Sequence, residues 1–330
     1  MSESKKYVDY LIKDFKSWPK YKYDTVYFGG GTPSLLEPSE IGRILKEIEI
    51  TENAEITLEL NPATANLKKL QEFRENGINR LSIGIQSFNN EILKTLGRLH
   101  SAEKAKETFY NARKAGFDNI SIDLMFAVPN QGIVELKKDL ETIKELNPEH
   151  ISIYSLIWEE GTPFWDMLQQ GTMKACDNDI EADMFELIID TLADMGYTHY
   201  EISNFAKTGK EARHNSKYWE NKEYIALGIG SSFYTEGFRG KNLLGFNEYY
   251  EAIDKGEKPW FESEKVDNPK EYEYMLGLRL LQEGIVPTEE NIKITCEKLK
   301  NDGYLEIKSG KYLLTRKGIF FANYVFEQVL

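Results

Sequence analysis

The sequence is poor in cysteine. Its 330 residues contain only two, Cys176 and Cys296, which lie far apart along the chain. That separation excludes a disulfide framework, and it also excludes a metal site assembled from neighbouring cysteines. We interpret both cysteines as ordinary residues.

Positive charge and long apolar runs are also scarce. Lys and Arg number 41 against 54 Asp and Glu, so the net charge is -13, which argues against a nucleic-acid partner held by bulk electrostatics. No apolar run is long enough to span a bilayer, and the polar start at residues 2–6 lacks the apolar core of a signal peptide. We therefore expect a cytoplasmic protein with no transmembrane segment and no nucleic-acid partner.

Short β-rich runs alternate with amphipathic helices through the first half of the chain. Gly77, Gly116 and the pair Asn147-Pro148 end helices, and a strand follows each of them directly. The predicted strands cover residues 25–28, 55–59, 80–84, 120–124 and 151–154. Strands that alternate with helices pair in parallel through right-handed crossovers. The pattern predicts an α/β fold, either a barrel or an open doubly wound sheet.

The order of the elements indicates a partial barrel with an added C-terminal part. A helix over residues 5–15 precedes every predicted strand, whereas a βα barrel begins with a strand, so the first strand is expected to be missing. Residues 212–250, rich in Tyr, Trp and Asn, are predicted to be loops that cap a site. From residue 268 two helices, a hairpin (304–307 with 311–314) and a last helix predict a winged-helix-like unit that packs against protein. The predicted domains are a barrel (1–165), a cap (166–262) and this winged-helix-like domain (263–330).

Polar or glycine-rich segments follow four of the predicted strands. Gly29–Gly31 follow the first, and Glu59, Gln86 and Asp123 follow the next three. The carboxyl ends of parallel strands meet at one edge, so these groups are expected to converge on one site. The glycine run is neither a Walker loop nor a dinucleotide fingerprint, because no Lys-Ser/Thr follows it and Pro33 interrupts it. A plain tight turn and simple strand-end caps remain the alternatives.

Several motifs occur together in a fixed order. They are FGGGTPS (28–34), ELNP (59–62), SIGIQSF (82–88), LGRLH (96–100), DLM (123–125), YEISNFA (200–206) and RHNSKYW (213–219). In order and spacing they resemble the radical SAM family of the heme chaperone HemW and the oxygen-independent coproporphyrinogen III oxidases. The last two motifs and the winged-helix-like tail resemble the HemW branch. The resemblance covers nearly all of the chain.

The resemblance implies a site for S-adenosylmethionine. It implies that backbone groups of a glycine-rich segment hold the methionine amino end, through Gly29, Gly30, Gly31 and Thr32. It further implies that Arg98 pairs with the ligand carboxylate. By the same resemblance, Gln86 and Asp123 reach the ribose hydroxyls and Glu59 lies beside the methionine portion. A zwitterion with two hydroxyls needs a cation, acceptors and amides in one cleft, and these residue types supply them.

The resemblance also implies heme binding and transfer of heme to acceptor proteins. The residues implied are His214, Asn215, Tyr218 and Trp219. An imidazole with flanking aromatic rings suits an iron porphyrin, although a surface or structural histidine is the alternative. The segment Gly228–Phe233 reads GIGSSF where relatives have Gly-Ala-His, which removes one potential contact to iron or porphyrin. A homodimer is left open.

One motif of the family is absent. Members carry Cys-x-x-x-Cys-x-x-Cys after the first strand, and these thiolates bind a [4Fe–4S] cluster, but this sequence contains no such triplet. A single deletion would account for the absence of both the cysteine triplet and the first strand. We therefore expect this chain to be an N-terminally truncated form of a longer protein, and we expect the cluster only in that full-length protein.

Three functions remain open from the sequence. The first is a HemW-type heme-binding protein, which the RHNSKYW segment and the tail favour. The second is a coproporphyrinogen III oxidase that decarboxylates propionates by radical chemistry. The third is an inactive barrel that binds a partner through its tail, and the joint presence of Glu59, Gln86, Arg98 and Asp123 argues against it. No catalytic residue is assigned.

Overall fold

The chain folds into two compact units. The structure is a computed structural model that describes residues 3–330, with the backbone alone for Glu271. Met1 and Ser2, part of the polar start considered above, lie outside the described residues. The first unit comprises the residues up to Gly30, Leu36–Glu55 and Ala212–Leu330, and the second comprises Gly31–Leu35 and Ile56–Glu211.

The second unit contains the alternating strands and helices. Its elements are a short 3-10 helix (Pro33–Leu35), the end of β2 (Ile50–Leu60), α3 (Leu67–Glu75), β3 (Arg80–Gln86), α4 (Asn90–Thr95), α5 (Ala102–Lys114), β4 (Ile120–Phe126), α6 (Ile133–Leu146), β5 (His150–Ser155), α7 (Pro163–Gln169), α8 (Asn178–Asp194), β6 (Thr198–Glu201) and β7 (Asn204–Ala206). Asn147 ends α6 in the left-handed conformation, as the helix-stop pattern predicts. The predicted α/β alternation is confirmed.

The strands form a curled, mostly parallel sheet. The strand order is β1-β2-β3-β4-β5-β7-β6, where β1 covers Tyr23–Phe28. Strands β2 to β5 pair in parallel, whereas β7 runs antiparallel to both β5 and β6. This arrangement confirms the predicted partial barrel fold, and β6 lies at one end of the strand order.

Strand register sorts the side chains of this sheet into two faces. Leu81 pairs with Ile120, and Ile122 pairs with Ile151, so each pair points to the same side. This apolar face comprises Leu58, Leu60, Leu81, Ile83, Ile120, Ile122, Leu124, Ile151, Ile153 and Phe205, all at most 2% exposed. Each buried side chain of this size contributes about 1.5–3 kcal/mol. The apolar face is therefore a main source of stability in this unit.

The first unit contains the N-terminal helix and the C-terminal third of the chain. Its elements are α1 (Glu3–Ser17), β1, α2 (Pro38–Glu47), the start of β2, α9 (Arg213–Trp219), β8 (Ser232–Thr235), β9 (Phe238–Asn242), α10 (Phe246–Lys255), β10 (Trp260–Lys265), α11 (Lys270–Gly277), α12 (Glu290–Asn301), β11 (Leu305–Lys308), β12 (Lys311–Leu314), α13 (Arg316–Phe320) and α14 (Ala322–Gln328). The predicted tail of helices and a hairpin is present, but its last helix is split into α13 and α14.

The prediction that residues 212–250 are loops is wrong. This segment contains α9, the hairpin β8–β9 and the first half of α10. The hairpin turns through Glu236 and Gly237, both with positive φ, which is the two-residue turn that suits antiparallel strands. The aromatic residues that suggested a loop instead pack inside the unit, where Phe233 stacks on Trp260.

A buried carboxylate joins α1 to α10. The Tyr249 hydroxyl donates to Asp14 Oδ2 at 2.5 Å and accepts from the backbone N–H of Gly228 at 3.0 Å. Asp14 is 1% exposed, and its burial raises its pKa. One hydroxyl therefore bonds one oxygen of a buried acid and also fixes the start of the GIGSSF segment.

Replacing Tyr249 with Phe should destabilise the protein more than the same change at Tyr250. Tyr249→Phe leaves a buried acceptor and a backbone donor without a partner, so we expect the free energy of unfolding to fall by about 1–3 kcal/mol. The Tyr250 hydroxyl bonds Glu3 in a partly buried place, so Tyr250→Phe should cost less than about 1 kcal/mol. Denaturant unfolding of both variants measures the difference, and equal losses would contradict this assignment.

Candidate functional site

The second face of the sheet is polar. Thr57 pairs with Arg80, and Asp123 lies between Gly84 and Ser152 in register. This polar face comprises Thr57, Glu59, Arg80, Ser82, Ser121, Asp123, His150, Ser152 and Asn204. Branched apolar side chains ordinarily fill a βα barrel. A face lined instead by hydroxyls, acids and bases is suited to a polar ligand or to water.

Asp123 is the electrostatic centre of the polar face. Burial raises the pKa of Asp123 to about 6, although hydrogen bonds from Ser82 and Ser152 oppose the rise. The Ser82 hydroxyl lies 3.0 Å and 3.2 Å from the two carboxylate oxygens. The charge of Glu59 raises the pKa of Asp123 further, and that of Arg80 lowers it. The structure thus brings two predicted site residues, Glu59 and Asp123, into one charged group.

Arg98 belongs to the same group of charged side chains as Asp123. It follows α4, it is partly buried, and the loss of solvation lowers the pKa of its guanidinium while the charge of Asp123 raises it. A guanidinium that is already partly stripped of water gains more from a ligand carboxylate than an exposed one does. The predicted cation and the predicted acid therefore act on each other electrostatically.

Gln86 ends β3 in a strained conformation. Its φ is +71, a left-handed value that is costly for a residue other than glycine, and the register of β3 with β4 shifts at this point. The following turn is held by Asp139, which accepts hydrogen bonds from the Ser87 hydroxyl and the Phe88 N–H, both at 2.8 Å. His100 is buried, and its Nε2 bonds the carbonyl of Ile85 at 3.0 Å. His100 therefore supports the strand end.

The glycine-rich segment has room beside its backbone. Gly30 and Gly31 have φ of +73 and +55, which favours glycine, and no described atom lies within 4 Å of a Cβ added to either. Gly31 and Thr32 belong to the second unit, and Gly29 and Gly30 to the first. In the second unit the Ser34 hydroxyl bonds Thr64 Oγ1 at 2.7 Å and accepts from the Asn61 N–H at 3.3 Å. The FGGGTPS and ELNP motifs are thereby tied together.

His214 lies in the first unit, on the short helix α9. Its Nδ1 is 2.9 Å from Thr25 Oγ1, and its Nε2 is 2.7 Å from the Tyr218 hydroxyl. The imidazole stacks on the Tyr27 ring, with a 5.0 Å centroid distance and a 19° angle. Both ring nitrogens of the predicted heme residue are therefore engaged within the protein.

The start of α9 is anchored by a carboxylate from another element. Glu55 on β2 accepts hydrogen bonds from the N–H groups of Arg213 and His214, at 3.1 Å and 2.9 Å. Ala212 supplies no side-chain cap, so Glu55 satisfies donors that the helix itself leaves open. Lys217 pairs with Asp24 at 2.9 Å.

Two further predicted heme residues lie on the same helix. Asn215 is partly buried. The Trp219 ring lies beneath the Arg279 guanidinium, whose carbon is 4.3 Å from the ring centroid. The structure brings the RHNSKYW residues onto one helix, and it leaves their predicted role in heme binding untested.

The residues do not fit an iron–sulfur cluster. Over residues 3–330, no group of three or more His, Cys, Asp or Glu is placed to hold a metal ion. Cys296 is buried and Cys176 is partly so, and the sequence has no other cysteine. Within the same range no helix is both long and apolar enough to cross a membrane.

The motif analysis gave no role to several residues of these sites, among them Thr25, Glu55, Arg80, Ser82 and Asp139. The polar face could have been found from the strict alternation in Arg80–Gln86, where polar or glycine residues alternate with Leu81, Ile83 and Ile85. The partners of α9 carried no such signal, because Thr25 and Glu55 are distant from His214 in sequence.

Comparison with known proteins places these features in a family. The model of the radical SAM superfamily matches residues 2–143. The heme chaperone HemW of Lactococcus lactis is 36% identical, over 98% of this chain and 89% of that protein. HemW of Bacillus subtilis is also 36% identical, over 77% of this chain and 69% of its own length.

A solved structure supports the fold. The coproporphyrinogen III oxidase HemN of Escherichia coli, described as a radical SAM enzyme, superposes with a TM-score of 0.83. The match covers 99% of this chain and 83% of that one at 20% identity. At this level of identity the likeness concerns the fold alone.

Stability should respond to the ionisation of Asp139. Burial raises the pKa of Asp139 from 3.8 to about 6, so between these values the folded state holds a proton that the unfolded state releases. The wild type should therefore gain stability relative to Asp139→Asn as the pH falls from 7 to 4, by about 1–3 kcal/mol. Denaturant unfolding of both proteins across this range measures the gain, and a difference that stays constant with pH would refute it.

Proposed function

The chain belongs to the HemW family of the radical SAM superfamily, and from this premise we propose that it binds heme and S-adenosylmethionine and delivers heme to acceptor proteins. The observation that carries the proposal is the extent of the similarity: relatives named heme chaperones match this chain from the sheet through the winged-helix-like tail. Action in the cytoplasm and a homodimeric state are further parts of the proposal. Cell fractionation and light scattering test them.

The polar face supports the S-adenosylmethionine part of the proposal. Asp123 is mostly ionised at neutral pH because its pKa is about 6, so its oxygens can accept from ribose hydroxyls. Arg98, partly desolvated nearby, suits the ligand carboxylate in a bidentate pair. Thr57 Oγ1 and Arg80 Nε are buried and have no hydrogen-bond partner among the described residues, which is the state expected of a face that receives water or a polar ligand.

We derive no radical step for this chain. In the family, an iron–sulfur cluster supplies the electron that cleaves S-adenosylmethionine. The residues present here cannot hold that cluster, because the thiolates it needs are absent from the sequence. For the same reason we assign no catalytic residue. The RHNSKYW segment and the winged-helix-like tail favour a heme chaperone over coproporphyrinogen oxidation. In this proposal the residues of the polar face bind and orient the ligand.

The α9 segment supports the heme part of the proposal. His214 supplies an imidazole, the side chain that most often ligates heme iron at a protein site of this kind. Tyr27 and Tyr218 bring aromatic rings to within about 5 Å of it, at 5.0 Å and 5.2 Å between centroids. Aromatic rings beside an imidazole suit the flat, apolar body of a porphyrin.

Replacing Arg98 should weaken S-adenosylmethionine binding. Arg98→Ala removes a charged hydrogen bond to the ligand carboxylate, which is worth on the order of 1.5–3 kcal/mol, or roughly 10- to 150-fold in Kd. Lys94→Ala, which removes an exposed cation from α4, the helix that precedes Arg98, should leave the Kd unchanged. Calorimetry compares the variants, and an equal Kd for wild type and Arg98→Ala would contradict the assigned role of Arg98.

Heme binding should depend on His214. Adding heme to the wild type should shift its Soret band, and His214→Ala should reduce the shift because the axial nitrogen is gone. His199→Ala is the matched control, since His199 stacks on Phe205 and bonds the carbonyl of Ile202. If His214→Ala leaves the shift unchanged while His199→Ala or His100→Ala abolishes it, the heme assignment is wrong.

A further inference from the structure

We propose that Thr25 and Tyr218 control His214 in opposite ways. Thr25 is a positioning residue that fixes the imidazole so that Nε2 carries the lone pair. The Tyr218 hydroxyl is a lock that occupies Nε2 and has to leave before iron can bind there. This inference rests on the proposed heme-binding function and adds an order of events within that site.

The geometry leaves no open nitrogen on the imidazole. Thr25 Oγ1 lies 2.9 Å from Nδ1, and the Tyr218 hydroxyl lies 2.7 Å from Nε2. Tyr27 stacks on one face of the ring. A neutral imidazole has one N–H and one lone pair, so one hydroxyl accepts from it and the other donates to it. Iron needs the lone pair, so one of these two bonds must break when heme binds.

The acidities of the two hydroxyls decide which bond breaks. A phenol, with an ordinary pKa of about 10, is a far stronger donor than an aliphatic alcohol. The Tyr218 O–H therefore donates to Nε2, and the Nδ1 N–H donates to Thr25. This is the tautomer that a metal-binding histidine uses, with one nitrogen for the metal and the other held by an oriented acceptor. The bond to Tyr218 is the one that iron replaces.

His214 is held in place on several sides. Glu55 bonds its backbone N–H, Thr25 bonds Nδ1, and Tyr27 stacks on one face of its ring. The imidazole therefore stays where it is when iron takes Nε2, and the Tyr218 hydroxyl is the group that has to leave.

The lock predicts that removing the Tyr218 hydroxyl changes heme affinity in the direction opposite to that expected for a group that binds heme. If Tyr218 contributed directly to heme binding, removing its hydroxyl would weaken the complex. If its hydroxyl competes with iron for Nε2, removing it frees the nitrogen and strengthens the complex. A net hydrogen bond of ordinary strength corresponds to about a three- to tenfold change in Kd.

The first experiment titrates heme into the full chain and its variants, followed by the Soret band. We expect Tyr218→Phe to lower the Kd about three- to tenfold while keeping the histidine-ligated spectrum of the wild type. Tyr224→Phe is the matched control, because it removes a hydroxyl from a ring that contacts Tyr218, and its Kd should stay at the wild-type value. An unchanged or higher Kd in Tyr218→Phe would overturn the lock.

The second experiment tests Thr25. Thr25→Val keeps the shape of the side chain and loses the acceptor for the Nδ1 N–H, so we expect a higher Kd and a lower iron–histidine stretching frequency in the Raman spectrum of the ferrous complex. Thr25→Ser keeps the hydroxyl and should restore both. Circular dichroism of each variant checks the fold. A wild-type Raman band in Thr25→Val would overturn the positioning role.

His214→Ala separates this inference from the function beneath it. If His214→Ala binds heme with an unchanged spectrum, the proposed heme site fails and the lock fails with it. If His214→Ala loses the spectrum but Tyr218→Phe shows no tighter binding, the heme site stands and only the lock is wrong.

Discussion

The central constraint on the second unit is that its strands carry charge on one face and aliphatic side chains on the other. The apolar face is buried and stabilises the sheet, while on the polar face Arg80 is buried and desolvation raises the pKa of Asp123. Buried charges persist only when paired or hydrogen-bonded, and here Ser82 and Ser152 bond Asp123 while Arg80 offsets its charge. Such a face is suited to a polar ligand rather than to apolar packing.

Strands β1 and β2 carry the residues that hold the histidine segment within the first unit. Glu55 on β2 accepts hydrogen bonds from the N–H groups of Arg213 and His214, which begin α9. Thr25 on β1 bonds Nδ1 of His214. The position of His214 therefore depends on two side chains that are distant from it in sequence.

The sequence predicted much of this organisation, but it did not predict which residues contact Asp123 and His214. Helix stops such as Asn147 and the β-rich runs between them were sufficient for the α/β fold, because their signals are local. The aromatic segment after residue 212 was taken for loops, since short strands and a seven-residue helix give little periodic signal. Motif order led to Asp123 and His214, but Ser82, Glu55 and Thr25 meet them only through tertiary contacts. The roles of the motif residues remain predictions.

The most direct test of the account is hydrogen–deuterium exchange of this chain with each ligand in turn. We expect S-adenosylmethionine to slow exchange in peptides covering residues 81–100, where the β3 end and Arg98 lie, and to leave residues 212–224 unchanged. We expect heme to alter exchange at 212–224, where α9 and its locking tyrosine lie. If neither ligand changes exchange in its assigned segment, or both protect the same peptides, the account of two separate sites is contradicted.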